Sequence, residues 1–434
     1  MTHMESARAG KINDALQAAA AKDGVSPEAL LDAAATGRVA ILAGDRHEAV
    51  SPVAVGAGLR TKVNGTIGTS PDQADLTAEM CKLLAAIRAG ADTVMDLSIG
   101  GNVREARAQI LRECRLPVGT VVIYRAAVDA AQQGRNWEDV SEDEILASIQ
   151  EQAREGLDFM TIHPAITMGA LRMIDGSGRI TPIVSRGGAL TGKWMMGNDC
   201  ENPLRSRFDD IIGICRAYNT TISIGDGLRP GCLHDGLDSA HLAEYATMSE
   251  LVRRARLAGV QVIVEGPGHL RADLIASDVQ LLKKVADGAP AYYMGPLVTD
   301  VAPGYDHITS AIGATLAASA GADFLCAVTA AEHLSLPQPD DIYLGVMAAR
   351  IAAHAGDLSK RIPASQDWDD RLSKARYELD WTGQSSHAID PQKFESLRRA
   401  TPTRSPSCSI CSDFCPMRIF APARESRKRA TVGR

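Results

Sequence analysis

The sequence predicts an α/β protein: a (β/α)8 TIM barrel with an N-terminal α/β region and a C-terminal helical segment that ends in a cysteine-bearing tail. Three observations predict it. From about residue 90, short apolar runs alternate with longer amphipathic stretches, as strands buried on both faces alternate with covering helices. The runs number eight, at 93–97, 120–123, 158–162, 182–184, 220–224, 261–264, 291–294 and 323–327. Polar or reactive groups close nearly every run, and in a barrel such ends converge on one rim, where ligands bind. An open doubly wound sheet is the alternative, and the count of eight favours the barrel.

The elements follow in order. Residues 1–75 read as a separate N-terminal region, with a helical pattern over 12–22, an apolar run at 39–43 and a Gly-rich stretch at 55–65. Residues 76–345 hold the barrel. Within it a helix is predicted over 239–258, with Asp238 as N-cap and Gly259 as the stop. Others are predicted over 274–286, ending at Gly288, and over 308–320, before Gly321. After Asp340 a helical segment runs to about His354, and mixed charged helices continue to about Asp390, within a C-terminal helical region at 346–400. The Pro/Ser-rich linker 401–407 introduces a mobile tail, 401–434. Its basic residues Arg418, Arg424, Arg427, Lys428, Arg429 and Arg434 read as a solvated arm.

Composition narrows the function classes. The 434 residues are 45% hydrophobic, 23% charged and only 4% aromatic, with 38 glycines, which suits tight α/β packing. A net charge of −7 leaves no broad basic surface, so nucleic acid is not an expected partner. No apolar stretch approaches a membrane span and the N-terminus has no hydrophobic signal region, so a cytoplasmic enzyme without a membrane partner is expected. Six scattered cysteines, Cys81, Cys114, Cys200, Cys215, Cys232 and Cys326, read mostly as small buried hydrophobes in a reducing compartment.

The remaining three are different. Cys408, Cys411 and Cys415 form C-x2-C-x3-C. Three thiolates at this spacing suit three corners of a cubane iron–sulfur cluster, and they leave the fourth iron open to S-adenosylmethionine. A structural zinc site wants a fourth ligand, and no further Cys or His lies nearby.

At the strand ends stand Met95-Asp96, Tyr124, His163, Ser185-Arg186-Gly187-Gly188, Asp226-Gly227-Leu228-Arg229, Glu265 with His269, Tyr292, and Cys326 followed by His333. The two glycine–arginine loops suit an anion, because glycine admits close backbone approach and Arg clamps oxygens in pairs. A phosphorylated or carboxylated substrate fits them; tight turns with a structural ion pair are the bland alternative. In Glu265-Gly266-Pro267-Gly268-His269 the glycines let carboxylate and imidazole face one pocket. His269 and His333 together offer an open two-imidazole metal site, most plausibly zinc. His163 and Tyr124 are candidate proton donors. Asp306, in Gly304-Tyr305-Asp306-His307, reads as a helix cap.

Taken jointly, Glu265–His269, residues 298–309 (VTDVAPGYDHIT), the two Gly–Arg loops and the cysteine tail resemble the phosphomethylpyrimidine synthase family, with its paralogue 5-hydroxybenzimidazole synthase, over nearly the whole chain. The resemblance implies a radical S-adenosylmethionine carbon–carbon lyase acting on 5-aminoimidazole ribotide, started by hydrogen abstraction from the ribose. It implies a homodimeric barrel whose tail closes the site, and an electron donor such as a flavodoxin or ferredoxin. It implies substrate contacts at Met95, Tyr124, His163, Ser185, Arg186, Gly187, Asp226, Gly227, Leu228, Arg229, Glu265 and Tyr292. It also implies zinc at His269 and His333, a 4Fe-4S cluster at Cys408, Cys411 and Cys415, and catalytic roles for Glu265, His163 and Cys326.

Several positions depart from the family pattern. Thr66, in Asn64-Gly65-Thr66-Ile67-Gly68, stands where a substrate-contacting Asn is usual, trading an amide for a hydroxyl. Pro164-Ala165 follow His163 where Cys-Gly or Ala-Gly is expected. Ala327 replaces a Tyr, and Ala330 a Pro. These departures favour the benzimidazole product, for cobamide biosynthesis, narrowly over the pyrimidine product for thiamin. A non-catalytic ribotide-binding paralogue, or a lyase using only His269 and His333, are readings of other classes.

Overall fold

The computed structural model describes residues 1–401 and 405–420. Residues 402–404 of the linker, and the tail arginines and lysine at Arg424, Arg427, Lys428, Arg429 and Arg434, lie outside the described residues. Two compact units divide the chain, Met1–Lys360 and Arg361–Arg434.

The first unit contains the barrel. After a two-stranded antiparallel sheet of β1 (Val39–Leu42) and β2 (Val53–Gly56) come β3 (Lys62–Ile67), β4 (Thr93–Asp96), β5 (Val118–Val121), β6 (Phe159–Ile162), β7 (Thr221–Ile224), β8 (Val262–Gly266), β9 (Ala291–Tyr293) and β10 (Phe324–Cys326). Strands β3 to β10 pair in parallel and in sequence, and β10 closes on β3 through Leu325 opposite Val63. The strands are short and almost wholly buried, as strands covered by helices outside and side chains inside must be. Inside, the Phe159 ring meets Phe324 edge-on at 6.3 Å, and Phe324 stacks on Tyr292 at 4.1 Å. Gly119 makes room for the first of these rings, since a Cβ there would stand 2.3 Å from it.

Two expectations are corrected here. Residues 182–184 form no strand; they are an irregular approach to the helix Arg186–Asn198. The eighth strand is instead β3, which falls inside residues 1–75, so the barrel starts before residue 76. Its Lys-Val-Asn-Gly-Thr-Ile composition hides it, because the polar groups are satisfied internally. Lys62 Nζ donates to Asp23 at 2.8 Å, and Asn64 accepts from Thr93 Oγ1 at 2.7 Å. A buried lysine or amide stays in a core only when it is paired in this way.

Local chemistry sets the helix bounds. Asp238 caps Ser239–Leu257, accepting from His241 N at 3.0 Å, and Gly321 ends Asp306–Ala320 in the left-handed conformation. Asp306 is not a cap. It is the first helical residue and bonds no end-turn N–H; its Oδ2 lies 3.7 Å from His333 Nδ1.

The β1–β2 sheet sits across the N-terminal rim. Gln261, just before β8, exchanges two hydrogen bonds with the Ile41 backbone, at 2.8 and 2.9 Å. Asp158, just before β6, accepts from Gly44 N at 2.7 Å and bonds His47 Nδ1 at 2.8 Å. The opposite, C-terminal rim is left to the strand-end loops.

The second unit is helical over its described residues: Ser365–Glu378, Trp381–His387 and Pro391–Ala400, then a 3-10 turn Ser412–Phe414 amid the cysteines. Trp368 Nε1 donates to His387 O, and Trp381 Nε1 to Pro406 O. No helix among the described residues is long and apolar enough to cross a membrane.

Candidate active site at the C-terminal rim

The strand ends converge on a cavity of about 680 Å³. Of the residues singled out from sequence, Thr66, Tyr124, Arg186, Arg229, His269, Cys326 and His333 line its wall, as does Ala327. Met95, His163, Ser185, Gly187, Asp226, Gly227, Leu228, Glu265 and Tyr292 are buried and stand outside that lining. They bind one another and the wall residues, and so form a packed layer that supports the cavity.

One wall is built for an anion. Ser185 caps the helix Arg186–Asn198; its Oγ accepts from Gly188 N at 3.1 Å and faces His163 Nε2 at 3.3 Å. The helix therefore points its free N–H groups, with the dipole's positive end, toward the loop. Arg186 lies over the Tyr124 ring at 5.1 Å. Arg229 completes the wall, with Nη1 held by its own loop at Asp226 O, 3.0 Å away. The two loops touch at their glycines, where a Cβ on Gly188 would stand 2.3 Å from Gly227 O. The His163 ring is gripped likewise, since a Cβ on Gly187 would stand 2.2 Å from it and one on Gly225 2.6 Å. Burial, aided by the charge of Arg229, pulls His163 down to about 3. It is a neutral imidazole with Nδ1 unpartnered.

The barrel centre carries the acid–base groups. Glu265 accepts from Thr161 Oγ1 at 2.8 Å, Ser223 Oγ at 3.2 Å and Asp226 N at 3.4 Å. Burial nevertheless outweighs these donors and Arg229, and raises its affinity for a proton. The Cys326 thiol is also raised by burial, so it stays protonated. Thr66 Oγ1 lies 3.4 Å from its sulfur, which gives that departure from the family pattern a definite contact. Tyr292 OH reaches Met95 Sδ at 3.6 Å.

Behind Asp226 lies a polar network that sequence reasoning missed. Asp226 Oδ2 is 3.1 Å from His241 Nε2, while Asp226 Oδ1 has no partner. Glu244 accepts from Gly227 N at 2.9 Å and Leu228 N at 2.7 Å. Tyr245 and Tyr293 both donate to Asp278, at 3.2 and 2.6 Å. Burial pushes Asp226 up to about 8 and Glu244 well above the carboxylate range, each facing the other's carboxyl. Two carboxyls so placed share a proton rather than both ionise. His241 and Glu244 recur at i and i+3 on an apolar-faced helix; that spacing was the only available signal.

The metal and cluster candidates can be weighed by their donors. The His269 and His333 rings lie 5.4 Å apart, centre to centre, tilted by 39°. Burial and the neighbouring His333 lower His269 to about 4, so it is a neutral, ligand-competent imidazole. Among the described residues no cage of three or more His, Cys, Asp or Glu joins them. The pair fits a cation only as two ligands of an open site. In the second unit, desolvation opposes ionisation of Cys415, but hydrogen bonds at Met417 and Ser407 and the Arg418 charge outweigh it. The thiol is held below its ordinary range, which favours the thiolate, but among the described residues Cys408, Cys411 and Cys415 do not gather into a group that could hold a metal ion.

A family model described as the Radical SAM ThiC family matches residues 2–422. The chain is 48% identical over 420 residues to the phosphomethylpyrimidine synthase of Desulforudis audaxviator, covering 96% of this chain and 97% of that one. It is 47% identical over 420 residues to that of Moorella thermoacetica, with the same coverage. Among solved structures, dihydropteroate synthase from Thermus thermophilus aligns at a TM-score of 0.42 and 12% identity, covering 74% of this chain and 99% of that one. That likeness is too remote to bear on chemistry.

Proposed function

This chain belongs to the Radical SAM ThiC family, and on that premise we propose that it is a phosphomethylpyrimidine synthase. It would rearrange 5-aminoimidazole ribotide to 4-amino-5-hydroxymethyl-2-methylpyrimidine phosphate for thiamin biosynthesis, in the cytoplasm. The observation that carries this reading is the near-full-length identity of 48% and 47% to enzymes of that name. The same finding supports the pyrimidine product better than the narrow expectation of 5-hydroxybenzimidazole. Thr66, Pro164 and Ala327 are then lineage differences at the site, not a change of product.

The residues divide the work. Arg229 and the helix start at Ser185–Gly188 bind the phosphate, with Arg186 held by Tyr124 at the outer edge. Neutral His163 receives a hydrogen bond from ribotide or Ser185. Glu265, in the buried layer behind the cavity wall, would accept a proton released by the ligand on its carboxylate, whose proton affinity burial raises. Cys326 keeps its proton for a ligand at the cavity wall, and Thr66 orients the thiol. Met95, Asp226, Gly227, Leu228 and Tyr292 would act from the supporting layer. Cys408, Cys411 and Cys415 would hold a 4Fe-4S cluster, which when bound supplies the electron that cleaves S-adenosylmethionine. His269 and His333 would hold a zinc ion, which when bound supplies positive charge for a ligand oxygen.

The reading includes two partners: a flavodoxin or ferredoxin as electron donor, and a second copy of the chain. The helix Asp306–Ala320 leaves Ile308, Ile312 and Leu316 exposed at i, i+4 and i+8. The helix packed beside it, Pro339–Lys360, exposes Leu344 and Ile351, and the next, Leu76–Ala89, exposes Leu84. An apolar face of this extent suits a self-complementary interface.

The test is anaerobic reconstitution with the ribotide, S-adenosylmethionine and a reductant, followed by mass identification of the heterocycle. Pyrimidine phosphate with 5′-deoxyadenosine is expected, and replacing the three tail cysteines by alanine abolishes both. 5-Hydroxybenzimidazole as product would overturn the assignment. Failure to form 5′-deoxyadenosine with substrate would leave a ribotide-binding paralogue. Turnover that survives loss of the cysteines would point to a lyase using His269 and His333 alone.

A further inference from the structure

We infer that Glu244, which lies outside the cavity lining, is a positioning residue for the phosphate-binding wall: its carboxyl fixes the Asp226–Arg229 turn, and through that turn it aims the Arg229 guanidinium. The inference rests on the ribotide reading and deepens it.

Glu244 is fully buried on the helix Ser239–Leu257, one layer behind the cavity. Its two oxygens take separate backbone donors, Gly227 N at 2.9 Å and Leu228 N at 2.7 Å. One carboxyl bridging two successive N–H groups fixes the peptide plane between them, which a single hydrogen bond does not. The preceding carbonyl, Asp226 O, then accepts from Arg229 Nη1 at 3.0 Å. Arg229 is the last link and the one that reaches the cavity. The direction of its guanidinium comes from this backbone contact.

The same residue steadies the other loop. Gly227 cannot carry a side chain, because a Cβ would stand 2.5 Å from Ile166 and 3.2 Å from Glu244 Oε1. Gly227 O is in turn the surface against which Gly188 packs. A shift of the Gly227 peptide therefore moves both halves of the anion wall together. His241, one turn earlier on the same helix, takes Asp226 Oδ2 at 3.1 Å and closes the turn from its other end. A carboxyl is costly to bury, and a purely structural role would be served by an amide or by packing. Two backbone donors, one to each oxygen, supply the partners that burial of this carboxyl demands.

The experiment compares Glu244→Gln, Arg229→Ala and the double variant with wild type, reading KM for the ribotide and kcat separately. Glu244→Gln loses one acceptor, so KM is expected to rise about tenfold with kcat changed far less, as misaimed binding groups do. On the Arg229→Ala background the same change should add almost nothing, because the residue it aims is gone. Glu244→Asp keeps both acceptors and should recover part of the loss. Additive KM effects in the double variant, or a fall in kcat at constant KM, overturn the positioning role. If Glu244→Gln fails to fold, Glu244→Asp carries the cycle on the same criteria. Wild type that neither turns over nor binds the ribotide overturns the functional reading. Wild-type turnover with unchanged variants overturns only this inference.

Discussion

Asp226 carries its proton because two facts coincide: it is buried, and the Glu244 carboxyl faces it. Glu265, Asp278, His241 and Arg229 are its other titratable or charged neighbours. Its folded-state affinity, near pH 8, exceeds that of an unfolded aspartate, about 3.9. A carboxyl raised on folding contributes stability that is fully present below the unfolded value and is lost as pH rises through the folded one. Wild type should therefore lose thermal stability relative to Asp226→Asn as the pH climbs from about 4 to 8. Melts at matched ionic strength check this, and parallel curves would refute it. At this scale the sequence was partly legible. Arg186, Arg229, Cys326 and the histidine pair stand out because they follow short apolar runs in the sequence. Glu244, His241 and Asp278 do not, because they sit within helices and acquire meaning only when the helices fold back on the barrel. Asp306 misled for the opposite reason, since its position suggests a cap while its side chain faces His333.

Elements act here through what they leave out. The Ser185–Gly188 and Asp226–Arg229 loops approach each other, and grip His163, only because four positions lack a Cβ. Gly187→Ala places a methyl 2.2 Å from the His163 ring, so either the ring or the helix start must move. Overpacking of this kind costs about 1–3 kcal/mol. The expected outcome is a melting temperature lower by a few degrees and a ribotide KM raised more than kcat is reduced. Steady-state kinetics with a thermal melt decide it, and unchanged KM would show that the loop tolerates the methyl. The strand–helix alternation was readable because buried strands and amphipathic helices differ in period. β3 was not, since Lys62 and Asn64 look like loop residues until Asp23 and Thr93 pair with them. The run at 182–184 resembles a strand because it is short and apolar, but it lacks a neighbour to pair with.

For the whole molecule, exposed apolar rows run along three adjacent helices on residues that do not line the cavity. Ile312→Glu puts a charge at the centre of the Ile308–Ile312–Leu316 row. Sedimentation should show wild type as a dimer and this variant shifted toward monomer, with its melting profile otherwise preserved. Wild type that sediments as a monomer removes the second copy from the proposal. Composition gave no hint of this surface, because single exposed leucines and isoleucines are ordinary and only their alignment is informative.

The small sheet bound to Gln261 and Asp158 has a consequence for traffic. The far end of the barrel is covered by a sheet that the Gln261 and Asp158 side chains hold, and the cavity opens at the C-terminal rim. Whatever enters must back out the same way, so a spent molecule that lingers bars the next arrival.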